Sequence, residues 1–355
     1  MFEHLDDPRP PAFGDGYRRT VVQRALRRRR RQVAGGVGVA AASLVAGAGG
    51  LYARAALRLS DVERTEVAGT ASVPEGEPVT VLLLGLDRRD AGEPGRADTI
   101  ILARLDPGAG TASLLSIPRD LMVTNSATGQ AERINALAQQ DLSNLVAAVE
   151  TEVGVPVDHV MEVDFAGMTS LVDLVGGIHV RVESPLRDRM SGLAIDRPGC
   201  VTLDGEQALA LLRSRHLEVQ RDSGDWVPEL RSDLGRMEYQ RAVAVATLSD
   251  LETRPDPFEA NQLADWVAEN VTVDDALGVG EIARLIEATL TLDPGSVSQA
   301  TLPVVLYEPD HNRLAIDPNA APAAVAAFLD GGPLPDEPPI AGLPPAALGG
   351  DVTAC

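Results

Sequence analysis

The chain has 355 residues and not one lysine; all 31 of its basic residues are arginine. Complete replacement of one by the other reads first as the codon bias of a GC-rich genome. An isolated arginine therefore says little about ligands here, and only arginines in a patterned context count. Cysteine is nearly as scarce. Cys200 and Cys355 are the only two, and no Cys/His spacing of the zinc-binding kind occurs, so a zinc site is not expected. No segment repeats. A broad basic face is missing as well. The net charge is −21. Residues 1–31 hold nine arginines against four acids, so that segment is +5 and the remainder −26. A body this acidic argues against nucleic acid as a partner, because gripping a phosphate backbone needs an extended basic surface.

What is present begins at the N-terminus. From Gln32 to Ala53 there is no charged residue over 22 positions, long enough for a helix to cross a bilayer. Nine arginines precede the run and only Arg54 and Arg58 follow closely. The positive-inside rule then puts residues 1–31 in the cytoplasm, the transmembrane helix at 32–53, and the rest outside the cell membrane. A cleaved signal peptide is the competing reading; the run is longer than a typical apolar signal core. Residues 54–78 mix charges with Gly69, Pro74, Gly76 and Pro78 and read as a stalk. A folded domain is expected over 79–332, with an irregular Pro/Gly/Ala-rich tail at 333–355. An oxidising compartment permits a disulfide between Cys200 and Cys355.

Within the domain, 79–85, 99–106 and 111–117 are rich in Val, Ile, Leu and Thr and read as three strands. Helices are predicted over 136–153, 165–175, 204–212, 232–253, 257–269 and 279–290, and further strands at 160–163, 178–182 and 298–304. Asp204 with Gln207 forms a capping-box variant. The fold class is α/β, a mixed central sheet covered by helices on both faces.

The first three strands form a meander. Strand one runs up to Asp87, strand two leaves from Asp98 at the same end, and strand three returns there with Arg119. Alternation of strand direction alone gathers these three at one edge of the sheet. Arg88 and Arg96 lie in the intervening loop, and Arg133 with Asn135 follows. Each residue taken singly reads as a turn or surface residue; the combination at one edge does not. Further on, Arg213 and Arg215 stand i, i+2 just past a helix, and Asp233 and Arg236 share a face at the start of another. Carboxylates hold a hard cation and guanidinium forks hold phosphate oxygens in pairs. In a like-charged pair such as Asp87 and Asp98, removing one carboxylate is expected to leave the melting temperature unchanged or raise it.

These segments resemble the LytR-CpsA-Psr family of membrane-anchored cell-wall enzymes. The resemblance covers about residues 79–250. It rests on Gly85-Leu86-Asp87, Arg96-Ala97-Asp98-Thr99, Ser116-Ile117-Pro118-Arg119-Asp120, Arg133-Ile134-Asn135 and Val163-Asp164-Phe165-Ala166-Gly167. It continues through Leu171–Gly177, Leu203–Leu209, Arg213-Ser214-Arg215 and Asp233-Leu234-Gly235-Arg236. It implies transfer of a glycopolymer from a polyprenyl-pyrophosphate carrier onto peptidoglycan through a phosphodiester. Asp87 and Asp98 would bind Mg²⁺, or Mn²⁺ in its place. Arg96, Arg119, Arg133, Arg213, Arg215 and Arg236 would grip the pyrophosphate, with Arg119 and Arg236 in the catalytic set. Asp233 would orient an arginine or take the proton of the sugar hydroxyl. The apolar positions Val163, Phe165, Met168, Leu171, Val172 and Val175 read as a lipid groove or as ordinary core. Two departures stand out. Tyr239 occupies a position where the family usually has a second arginine, and 216–231 is longer than the loop many members have. A polyprenyl-pyrophosphate hydrolase and a non-catalytic carrier-binding scaffold are the alternatives.

Overall fold

The computed structural model describes residues 54–87, 95–229, 233–252, 257–335 and 352–355. The central sheet contains β1 (Glu63–Thr65), β2 (Val79–Asp87), β3 (Arg96–Asp106), β4 (Thr111–Ser116), β5 (His159–Asp164), β6 (Val271–Asp274) and β7 (Val297–Thr301). Their order across the sheet is β1-β6-β5-β2-β3-β4-β7. β2, β3 and β4 are successively antiparallel, so the meander is present. β5 runs parallel to β2 and β7 parallel to β4, which makes the sheet mixed. β2 sits in the middle because its sequence is apolar on both sides; Val79, Val81, Leu82, Leu84 and Leu86 are all buried.

Helices α1 (Ile134–Gln140), α2 (Leu142–Ala148), α3 (Phe165–Leu174), α4 (Gly205–Leu212), α5 (Asp233–Glu252), α6 (Pro257–Asn270), α7 (Val279–Leu290) and α8 (Ala321–Leu329) surround the sheet. Leu82, Leu84, Ile100 and Leu115 share a core with Ile134, Leu145 and Phe328, so α1, α2 and α8 cover one face. α3 touches β2 and β5, and α5 touches β4 and β7, with a separate apolar cluster behind them. The single helix expected over 136–153 is divided. Asp141 is extended and its carboxylate accepts the Ser143 N–H, so it ends α1 and caps α2.

The expected boundaries at 79 and 332 are too narrow. The supposed stalk is part of the domain: β1 pairs parallel with β6 at the sheet edge, and Leu59, Val62 and Val67 are buried. Arg58 also binds Asp265 at 2.7 Å and Glu269 at 2.6 Å on α6. Mixed charges and a three-residue strand hid these apolar anchors from a periodicity argument. Residues 54–355 accordingly form one compact unit. The apolar run 32–53 and the segment 1–31 lie outside the described residues. Among those described, no helix is long and apolar enough to cross a membrane.

The tail is not irregular at its end. Strand Val352–Ala354 adds antiparallel to Ile178–Val182, whose other neighbour is Gly199–Leu203. Cys355 is bonded to Cys200 across that small sheet, S–S 2.02 Å and Cα–Cα 6.0 Å, 155 residues apart in sequence. Closing so long a loop restricts the unfolded chain, and Cys355→Ser is expected to cost between about 2 and 5 kcal/mol of stability. Denatured, unreduced wild-type protein should expose no free thiol to alkylation; two thiols per chain would contradict the bond.

Candidate active site

The site starts from an irregularity in β2 and β3. Gly85 pairs with Thr99 and Leu86 with Ala97, so Asp98 is an extra residue without an opposite number. Such a bulge re-aims a side chain where the strand ends. Gly85 makes it feasible, because a Cβ there would stand 2.7 Å from the Thr99 Cβ. Asp98 is buried, 8% exposed.

Three arginines converge on it. Asp98 Oδ1 accepts from Arg119 Nη1 at 2.6 Å, Oδ2 from Arg215 Nη2 at 2.8 Å, and the carbonyl from Arg236 Nη2 at 3.2 Å. Each arrives on a different element. Arg119 follows β4, and its carbonyl accepts the Asn135 N–H, which ties it to the start of α1. Arg236 lies in the first turn of α5. Arg215 follows α4, whose start is fixed by the reciprocal capping box of Asp204 and Gln207.

Beside this group stands a second acid. Arg213 Nη2 is 3.9 Å from Asp87 Oδ1, and the Arg213 guanidinium lies 4.3 Å above the Phe165 ring. Phe165 opens α3, which Asp164 caps by accepting the Gly167 N–H. Arg213 and Arg215 thus point to different acids. Asp120 bridges Arg119 and Arg133 at 3.6 and 3.3 Å. Arg213 and Arg215 are nearly half exposed, whereas Arg236 is only 2% exposed and stands behind Asp98.

Of the sequence-predicted set, Asp87, Asp98, Arg119, Arg133, Arg213, Arg215 and Arg236 are therefore gathered at one end of the sheet. Arg96 is exposed and opposite Asp87 in the β2–β3 register. Asp233 is the first residue of α5, and its side chain is outside the described part. Tyr239 is core, 1% exposed in the cluster behind α3 and α5. Val172 and Val175 are core too, while Val163, Phe165, Met168 and Leu171 are half-buried. Sequence reasoning did not single out Asp120, or Phe165 as a seat for Arg213, although both stand inside quoted motifs. It missed Asp188 altogether.

Asp87 and Asp98 offer hard oxygen ligands at the ends of neighbouring strands. Mg²⁺ is commonly held by one or two carboxylates together with substrate phosphates and water, so this donor set fits it. Among the described residues there is no cluster of three His, Cys, Asp or Glu side chains that would hold a metal unaided.

The opposite end of the sheet has a different chemistry. His159, fully buried at the start of β5, lies between Asp274 (Nδ1, 3.1 Å) and Glu281 (Nε2, 3.1 Å). Burial pushes the imidazolium down, but hydrogen bonds and charge from both carboxylates outweigh it and raise it above its ordinary value. Burial likewise pushes Asp274 up, and His159 with the Val160 N–H brings it below the usual range. A raised histidine stabilises the fold fully below its unfolded value, about 6.5, and that contribution is lost as pH rises through the folded value. The melting temperature should therefore fall on the alkaline side, from near neutrality upward. A profile flat between pH 6 and 9 would contradict a charged His159. A cleft of about 360 Å³ also lies at this end, among Glu77, Asp106, Arg284, Leu285 and Glu287. Its charged groups are the acids Glu75, Glu77, Asp106, Glu281 and Glu287 against Arg284 alone, the wrong sign for a pyrophosphate.

TagU of Bacillus cereus, named as a polyisoprenyl-teichoic acid–peptidoglycan teichoic acid transferase, is 33% identical over 177 residues, 50% of this chain and 53% of that one. TagV of Bacillus subtilis, named for the same activity, is 28% identical over 255 residues, 69% of this chain and 61% of that one. The chain thus spans about half the length of the first and less than two thirds of the second. The solved LytR-Csp2A-Psr enzyme from Actinomyces oris superposes with a TM-score of 0.63 at 29% identity, covering 75% of this chain and 95% of that one. TagT bound to LI-WTA shares the fold, with a TM-score of 0.57 at 23% identity over 76% of this chain and 99% of that one. Residues 52–319, which hold the Asp98 bulge and every arginine around it, match a single family along their whole length: the chain belongs to the LytR_cpsA_psr family.

Proposed function

We propose that this chain transfers a glycopolymer from a polyprenyl-pyrophosphate carrier to peptidoglycan. A hydroxyl of the acceptor attacks the glycan-linked phosphorus. The new O–P bond completes a phosphodiester, the bond to the bridging oxygen breaks, and polyprenyl monophosphate departs. One observation carries the reading: Asp98 collects Arg119, Arg215 and Arg236 beside the Asp87–Arg213 pair. Phosphoryl transfer asks mainly for positioning and charge neutralisation, which fixed guanidinium groups supply. The named activities of the TagU and TagV relatives support the same chemistry.

Before the donor arrives, Asp98 holds the forks of Arg119 and Arg215. On binding, phosphate oxygens replace the carboxylate as their acceptors. Arg213, Arg133 and Arg96 lie on the outer side and neutralise the second phosphate. Arg236 holds the Asp98 carbonyl and so keeps the bulge in place. Asp233 receives the acceptor proton or orients an arginine. Asp87 and Asp98 would hold Mg²⁺, or Mn²⁺ instead, and the cation would neutralise charge on the pyrophosphate. Segment 32–53 anchors the domain beside its lipid-borne donor, with residues 1–31 in the cytoplasm and 54–355 outside. The arginine asymmetry supports that orientation.

Full-length protein in detergent, given a polyprenyl-pyrophosphate-linked oligosaccharide, Mg²⁺ and a peptidoglycan oligomer, should yield polyprenyl monophosphate and a glycan–peptidoglycan phosphodiester in equal amounts. Monophosphate released at the same rate without acceptor would make it a hydrolase. Donor binding without turnover would make it a scaffold. A C-terminal phosphatase fusion should be active in cells; an inactive one, with a cytoplasm-dependent reporter working, would reverse the orientation.

A further inference from the structure

Arg213 and Arg215 reach the site from residues 213–216, just past α4 and outside any regular element. Forks held this way need something to fix the backbone that carries them. The structure supplies it from a residue 27 positions away. Asp188 and Ser214 are each 1% exposed. Asp188 Oδ2 accepts from Ser214 Oγ at 2.8 Å, the Arg215 N–H at 3.0 Å and the His216 N–H at 2.9 Å. Its Oδ1 accepts from the N–H groups of Met190 at 2.8 Å and Ser191 at 3.3 Å. A buried carboxylate is costly unless its oxygens are satisfied, and here both are, chiefly by backbone donors. Burial pushes the Asp188 carboxyl up, but these hydrogen bonds prevail and hold it below the usual range.

The strand that carries Asp188 is itself braced. Leu186–Asp188 pairs with Leu193–Ile195 on one side and with Glu218–Gln220 on the other, and Trp226–Pro228 completes that sheet. Arg187 Nε donates to Glu218 Oε2 at 2.6 Å, and its guanidinium lies 4.1 Å from the centre of the Trp226 ring. The longer segment at 216–231 therefore contributes a hairpin that backs the Asp188 strand.

We propose that Asp188 is the positioning residue of Arg215: it locks the backbone at Ser214, Arg215 and His216 so that the Arg215 fork meets Asp98 and the incoming pyrophosphate. Asp188 touches no substrate; it acts through Arg215. The proposal rests on the reading of Arg215 as a pyrophosphate ligand. Asp188→Asn keeps the shape but places an amide N–H₂ against a cluster of donors, which releases at least one of the loop contacts.

The test is a pair of double-mutant cycles on the full-length protein in detergent, with farnesyl pyrophosphate and Mg²⁺ as the probe and calorimetric affinity as the readout. Asp188→Asn is expected to weaken binding about tenfold, the equivalent of one displaced charge-assisted hydrogen bond. In an Arg133→Ala background the same tenfold loss should appear. In an Arg215→Ala background little further loss should appear, because the residue through which Asp188 acts is gone. A general loss of folding would weaken both backgrounds alike, and that result would overturn the proposal. So would wild-type affinity in Asp188→Asn. Wild-type affinity in Arg215→Ala alone would instead overturn the reading of the site itself. Should Asp188→Asn fail to fold, Ser214→Ala removes a single contact to Asp188 and should give a smaller loss with the same dependence on background.

Discussion

Asp98→Ala should abolish transfer and lower the melting temperature in the same protein. Considered as one of two neighbouring carboxylates, Asp98 would be a source of repulsion, and its removal would stabilise the metal-free chain. The surroundings reverse that sign. Both of its oxygens accept from guanidinium groups, and its side chain is only 9% exposed. Its loss takes from Arg119, 17% exposed, an ionic partner at 2.6 Å. Removing one member of a sheltered ion pair costs about 3 kcal/mol or more when burial is complete. Because Arg215 is 41% exposed, its share is largely screened, and a loss of about 2 kcal/mol is expected overall. In transfer the effect is larger, about a thousandfold or more, since the residue both aligns two forks and serves the cation. A higher melting temperature in Asp98→Ala, or activity near wild type, would contradict this account of the site.

Arg215→Lys should lose about ten- to a hundredfold in transfer rate while folding normally. Lysine keeps the charge and discards the planar fork that holds Asp98 first and the phosphate after it. With Arg215 nearly half exposed, the substitution leaves no buried void, so stability should change by less than about 1 kcal/mol. Arg213→Lys should behave similarly, with one difference. Its guanidinium stacks on Phe165 and stands 3.9 Å from Asp87, farther than a hydrogen bond, so charge contributes more there and geometry less. A lysine variant at both positions with wild-type rate would mean that these arginines are ordinary surface residues.

The meander was legible because strand periodicity and strand direction suffice to bring Asp87, Asp98 and Arg119 to one edge. The capping box at Asp204 and Gln207 was legible for the same kind of reason, since its hydrogen bonds run between residues three apart. What stayed hidden depends on long-range packing. Asp188 sits in the unremarkable stretch Pro185–Arg189, and only the fold brings it under Ser214. The strand at 352–354 is too short for any alternation to show, and the apolar anchors of 54–78 are separated by charges. The bulge at Asp98 was hidden too. One unpaired residue leaves no trace in the pattern of β3, although Gly85 opposite Thr99 marks where the strands come too close for a side chain. α8 was missed because Pro322 and five alanines gave the stretch no clear periodicity, yet Pro is at home in a first helical turn.

The pyrophosphate is expected on the arginines gathered around Asp98. A crystal structure of the chain with farnesyl pyrophosphate and Mg²⁺ tests it directly. Phosphate oxygens should lie within hydrogen-bond distance of Arg119 and Arg215, with the cation on Asp87 and Asp98. A diphosphate bound elsewhere while those arginines keep their contacts to Asp98, for instance in the acidic cleft beside Arg284, would contradict it.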